Sequence, residues 1–162
     1  YELMPKLWVY LPLVEDIPND ITWVLNEADL PIIEAYLQAR LVFFRSTETD
    51  PIDLDDSGWR EWYEDGGSDY FSILNPRRGR HEVFDRADGV VLRPVVLGEA
   101  RTDSYAIVFD CMLDGGVWRQ PDGSLGPGST PGVIPNGLGA EIVLADGRWI
   151  ASRVTNEDGA CE

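Results

Sequence analysis

Two alternating runs, Leu138 to Ala145 and Arg148 to Val154, flank the dipeptide Asp146-Gly147, and no other feature constrains the fold of this chain as tightly. A two-residue hairpin turn needs positive φ at both central positions, which Asp-Gly accepts, so the segment reads as an antiparallel hairpin. Its register sets Leu144 opposite Trp149 and Val143 opposite Ile150. Further strands are expected over His81 to Arg86, Val90 to Gly98 and Ser104 to Leu113. Along the last of these, Tyr105, Ile107, Phe109, Cys111 and Leu113 fall on one face, and Ala106, Val108, Asp110 and Met112 on the other. Between Leu113 and Leu138 lies a stretch with seven glycines and four prolines, long for a connection inside a compact domain.

The first part of the chain has a different period. Residues 1–18 are apolar but broken by Pro5, Pro12 and Pro18, which predicts an extended arm or edge segment rather than a helix. Its Leu7, Trp8, Val9, Tyr10 and Leu11 must be covered, either by the domain's own groove or by another subunit. Residues 19–162 then form one domain. Asn19 or Asp20 can cap a short helix through Trp23, Val24 and Leu25. Pro31 suits the first turn of a second helix, with Ile32, Ile33, Tyr36, Leu37, Ala39, Leu41, Phe43 and Phe44 as its broad apolar face, ended by Pro51. A third helix is expected from Asp56 or Ser57 through Trp59, Trp62 and Tyr63, stopped by Gly66-Gly67.

Composition narrows the function classes. With 13 basic against 29 acidic residues, the 162-residue chain carries a formal net charge of −16. Phosphate binding depends on clustered Lys and Arg, so nucleic acid is excluded as a ligand, and anionic membrane surfaces are disfavoured by the same sign. No window approaches the roughly 20 apolar residues of a transmembrane segment. Lys6 is the only lysine, which reflects coding bias or a salt-adapted acidic surface rather than a binding role. Two cysteines and one histidine cannot assemble a structural zinc site, and no cofactor is expected. Cys161 stands alone on a polar tail. It and Cys111 are either two free thiols or a disulfide, and the disulfide is the reading preferred here, with the oxidising compartment that it requires. The chain opens on Tyr1 rather than Met, as expected of a mature secreted protein or a trimmed chain.

The run E-A-Y-L-Q-A-R-L-V-F-F at Glu34 to Phe44, Asp50-Pro51, F-D-C at Phe109 to Cys111, D-G-R-W-I at Asp146 to Ile150 and G-A-C at Gly159 to Cys161 resemble the nuclear transport factor 2-like superfamily. The secreted and lipoprotein forms common in actinobacteria are the most similar. The resemblance covers roughly residues 30 to 162 and implies an α+β fold, with N-terminal helices packed on a strongly curved antiparallel sheet that forms a cone. It also implies a cysteine pair tying the tail to the sheet, and a secreted or cell-surface location. Enzymes of this superfamily, such as ketosteroid isomerase and scytalone dehydratase, place a carboxylate or histidine inside the cone.

The candidate sites follow from these readings. Asp110, on the Ala106/Val108 face, is the candidate acid/base carboxylate of an isomerase or lyase, with Tyr36, Tyr105 and Glu99 as hydrogen-bonding partners. The alternative pairs it with Arg101 or Arg153, or leaves it in solvent. Asp53, Asp55, Ser57, Gly58, Glu61 and Glu64 follow the spacing of a calcium loop, although Arg60 stands where an aliphatic residue belongs and the stretch also reads as an acidic, helix-capping linker. Arg77, Arg78, Arg80 and His81 form the single basic cluster, fit for a carboxylate-bearing partner or a solvated turn. Trp8, Tyr10, Trp59, Trp62 and Trp118 are candidate ligand or partner contacts, Trp118 being expected exposed in the Gly/Pro loop, whereas Trp149 is expected in the core. The leading expectation is a non-catalytic binding or assembly module that engages a protein partner or sister subunit through the arm and the 114–137 loop, with an apolar small molecule in the cone as a further ligand.

Overall fold

In a computed structural model the chain is described over residues 1–11, 26–157, 159 and 161. The expected first helix, from Asn19 or Asp20 through Leu25, lies outside these residues. Helix α1 (Leu30–Thr47) packs across a mostly antiparallel, unclosed sheet, with two short helices, α2 (Ser57–Trp62) and α3 (Ser68–Gly79), beside it. Strands β1 (Glu2–Met4), β2 (Leu7–Val9), β4 (Val90–Leu92), β6 (Tyr105–Asp114), β8 (Ile134–Ala145) and β9 (Arg148–Asn156) lie in that order, and β5 (Pro94–Val96) also pairs with β6. Among the described strands, β2–β4 is the one parallel pair. A separate two-stranded ribbon joins β3 (Val83–Asp85) to β7 (Val117–Arg119). No described helix is long and apolar enough to cross a membrane.

The terminal hairpin has the expected register, Leu144 opposite Trp149 and Val143 opposite Ile150. Asp146 and Gly147 take φ of 51° and 78°, the left-handed pair that this turn demands. Strand β6 alternates as its sequence requires: Ala106, Val108, Asp110 and Met112 are buried against α1, and the Tyr105 to Leu113 set faces away from it. Cys111, on that second face, is bonded to Cys161, so the tail is fastened to the middle of the sheet.

The described N-terminal residues are extended at the sheet edge, one of the two alternatives expected, where they fold back as the β1–β2 hairpin; Leu7 and Val9 are buried in the domain's own core. Several expectations need correction. The strand expected from Val90 to Gly98 breaks at Arg93, whose N–H leaves the ladder to donate to the Asp110 carboxylate at 2.7 Å, while Pro94 has no N–H to offer. Strand β8 begins four residues before Leu138. There β9 no longer runs alongside it, so Pro135 sits on a local edge where its missing N–H costs no ladder bond. Helix α3 is absent from the sequence reading because its apolar residues reduce to Tyr70, Phe71, Ile73 and Leu74 and it contains Pro76. Helix α2 ends at Trp62, where Tyr63 turns extended, before it reaches the expected Gly66-Gly67 stop; Gly67, at φ 86°, instead opens α3, and a Cβ there would collide with the Trp59 ring. Trp149 is half-buried beneath the Arg101 guanidinium rather than in the core.

Because the Cys111–Cys161 link spans 50 positions, opening it frees a long loop in the unfolded chain. Cys161→Ser is expected to lower unfolding free energy by about 4 kcal/mol; equal urea midpoints for the variant and the parent would contradict this.

Candidate functional site

Helix α1 builds the site through one line of residues spaced four apart. Tyr36, Arg40 and Phe44 succeed one another on the helix face turned to the sheet, and all three are buried. Tyr36 donates to Asp110 Oδ2 at 2.7 Å. Asp110 is fully buried on β6 and accepts its second bond from the Arg93 N–H. Burial pushes the Asp110 carboxyl above the usual carboxylate range, against the pull of those two donors. Burial likewise raises the Tyr36 hydroxyl, and the neighbouring Asp110 charge adds to it.

One turn further along, Arg40 is 4% exposed. Its guanidinium lies 4.7 Å from the Phe43 ring centre and 4.8 Å from that of Phe44, and Nη1 donates a long 3.4 Å bond to the Tyr70 hydroxyl. Burial opposes its charge, but the oxygens of Tyr70, Tyr36 and Tyr63 and the Asp110 carboxylate outweigh that cost and keep it protonated. Tyr63 is held apart from it, donating to the Ala39 carbonyl at 2.8 Å.

A cavity of about 460 Å³ opens between α1, α3 and the sheet. Arg40, Phe43, Phe44, Tyr70, Ile73, Leu74 and Arg77 line its helical side; Phe84, Met112, Asp114, Trp118, Asn136, Leu138, Val154, Thr155 and Asn156 line the sheet and ribbon. This lies within the ~300–1,000 Å³ of small-molecule sites, and mixed aromatic walls with a few polar groups are their usual chemistry. Asp114 is the single carboxylate on the wall; burial raises its pKa, and Gly116 N–H at 2.9 Å and Asn136 hold its oxygens.

The predicted site residues separate accordingly. Asp110 and Tyr36 meet, but neither is among the residues that line the cavity. Tyr105 is on the opposite face of β6, and neither Arg101, paired with Asp29, nor solvent reaches Asp110. Trp59 is 1% exposed and stacks on Tyr63 and Tyr70 as core. Trp118, expected exposed in the loop, is instead half-buried on β7. It packs edge-on against Phe84, with the Arg77 guanidinium 4.2 Å from its ring centre, and all three residues line the cavity.

The remaining aromatic and charged candidates divide between the surface and local ion pairs. Trp62 lies half-buried under Arg148, and Trp8 and Tyr10 are exposed on the edge hairpin. Arg77 and Arg80 both bond the buried Glu82, holding its carboxyl below the usual range, and His81 bonds Asp50. Arg78 joins neither pair. The calcium-loop residues do not converge: Ser57 and Gly58 begin α2, Asp53 accepts from Asp55 N–H, Asp56 caps Gly58 and grips Arg45, Glu61 pairs with Arg148 and Glu64 bonds Ser152. Among the described residues no group of three potential ligands is poised around a cation.

Sequence reasoning missed Arg40, Tyr70 and Asp114. The signal for Arg40 was its place midway between Tyr36 and Phe44, a cation inside an apolar helix face.

No family model and no curated protein matches the chain. Among solved structures, the intermembrane space region of the chloroplast protein ARC6 is similar in fold, with a TM-score of 0.56 across 77% of this chain and 92% of that one. The two sequences are 8% identical, so the likeness extends to the fold alone.

Tyr36→Phe removes a donor from a buried carboxylate and is expected to cost about 1–3 kcal/mol, measured by chemical denaturation. Because the folded-state pKa of Asp110 is raised, its contribution is fully present below the unfolded value of about 3.9 and is lost as pH rises through the folded value. Asp110→Asn should therefore flatten the decline of stability from pH 4 towards neutrality; a profile parallel to that of the parent would refute this assignment.

Proposed function

We propose that the protein is a non-catalytic binding domain of the nuclear transport factor 2-like type that works outside the cytoplasm and holds an apolar small molecule between α1, α3 and the sheet. The observation that carries this reading is the aromatic-lined cavity of about 460 Å³. The enzymatic alternative requires an acid/base carboxylate reaching substrate; Asp110 is sealed under Tyr36 with both oxygens engaged, which favours binding over isomerase or lyase chemistry. The Cys111–Cys161 bond supports an oxidising, extracytoplasmic setting.

A second reading, association with another copy of the chain, draws on Tyr1, Trp8 and Tyr10, three exposed aromatics on the β1–β2 hairpin at the sheet edge. Aromatics of this kind are enriched at protein interfaces. Light scattering decides it: a concentration-dependent dimer abolished by Tyr10→Glu supports the reading, and a monomer throughout removes it.

For the cavity, titration calorimetry with 1-octanol is expected to give saturable one-to-one binding. Val154→Trp, which fills the space from β9, should weaken it by about tenfold or more, equal to about 1.4 kcal/mol. No saturable binding to the parent chain, or affinity indifferent to that substitution, would sink the proposal.

A further inference from the structure

A guanidinium removed from water normally has a carboxylate beside it, because an uncompensated buried charge is costly. Arg40 has none. None of the ion pairs among the described residues involves it, and its buried Nε has no hydrogen-bond partner among them. The two nearby carboxylates are committed elsewhere, Asp110 to the Tyr36 hydroxyl and the Arg93 N–H, and Asp114 to the Gly116 N–H and Asn136. Ring faces and a long bond to Tyr70 are what remain to it.

The charge of the cavity wall points the same way. The whole chain carries 29 acidic and 13 basic residues, yet the wall holds two arginines, Arg40 and Arg77, and one acid, Asp114. Arg77 is already bonded to Glu82 outside, so Arg40 is the cation whose donors are free to meet a ligand. A hydrocarbon surface of Phe43, Phe84, Leu138 and Trp118 surrounds it.

We infer that the cavity takes an amphipathic monocarboxylate, its anion received by Arg40 and its hydrocarbon body lying against the aromatic wall. Arg40 thereby gains the charge-assisted partner that the fold withholds, at a range where it outweighs the more distant acidic exterior. This inference rests on the cavity being a ligand site, and the experiment separates the two.

Octanoate and 1-octanol share a chain length and differ in the charge of the head group. Calorimetry on the full chain at neutral pH and low salt is expected to show octanoate binding about tenfold more tightly or better. Arg40→Met should erase that preference, bringing the ratio of octanoate to octanol affinity to about one, and Arg40→Lys should retain part of it. Asp114→Asn, which removes the one carboxylate from the wall without changing its shape, should strengthen octanoate binding several-fold and raise that ratio. Equal affinity for acid and alcohol in the parent chain, or a preference that survives Arg40→Met, overturns the anion site while leaving the cavity as a binding site. Binding of neither probe overturns both. Should Arg40→Met fail to fold, Asp114→Asn decides, and an unchanged octanoate affinity counts against Arg40.

Discussion

The hydrogen bond from Tyr36 to Asp110 is the joint on which the architecture turns. Its two residues come from different layers, α1 and β6, and the second oxygen of the same carboxylate takes the Arg93 N–H from a third segment. One buried side chain therefore fixes the helix against the sheet and interrupts the neighbouring strand. A carboxylate in this position is expensive to bury, and the two donors offset that cost. Arg40 and the cavity follow from this joint, because fixing Tyr36 on the sheet sets the rotation of α1 and brings the next two turns of the same face, at Arg40 and Phe44, to the cavity that Met112 and Leu138 also line.

The charge of the protein divides between outside and inside. The acidic stretch from Asp50 to Asp69 is largely occupied with local work, capping turns and helix starts or pairing with Arg45, Arg148 and Ser152. It forms no cation site because α2 starts in its middle and points its carboxylates apart. The cavity wall, in contrast, holds two arginines to one carboxylate. Net charge thus says much about what stays off the surface and little about what enters the interior, since the interior responds to a few side chains at short range.

Much of the fold was legible in the primary structure where one local rule acted alone. Asp146-Gly147 fixed a hairpin and its register through backbone conformation, and the period of two in β6 identified the buried face that includes Asp110. Legibility failed where a distant partner decided the outcome. Trp118 looked like a recognition residue in a Gly/Pro loop, but pairing with β3 and the Phe84 ring draws it inward. Trp59 has the same side chain and similar neighbours as Trp62, and the packing of α3 puts one in the core and leaves the other beside Arg148. The calcium-like spacing was a pattern of side chains without a loop to bend them together.

By itself, the amino-acid sequence determined the class of fold, the terminal hairpin, the alternation of the central strand and the net acidic charge, since each depends on residue type and short-range spacing. Only the tertiary structure decided that Asp110 is buried with both oxygens bonded, that the N-terminal segment joins the sheet edge, and that Arg40 stands on a cavity wall without an ion-pair partner among the described residues. Those outcomes depend on which groups from remote segments arrive within a few ångströms. Burial then sets the energy of each polar group according to whether a partner has arrived with it.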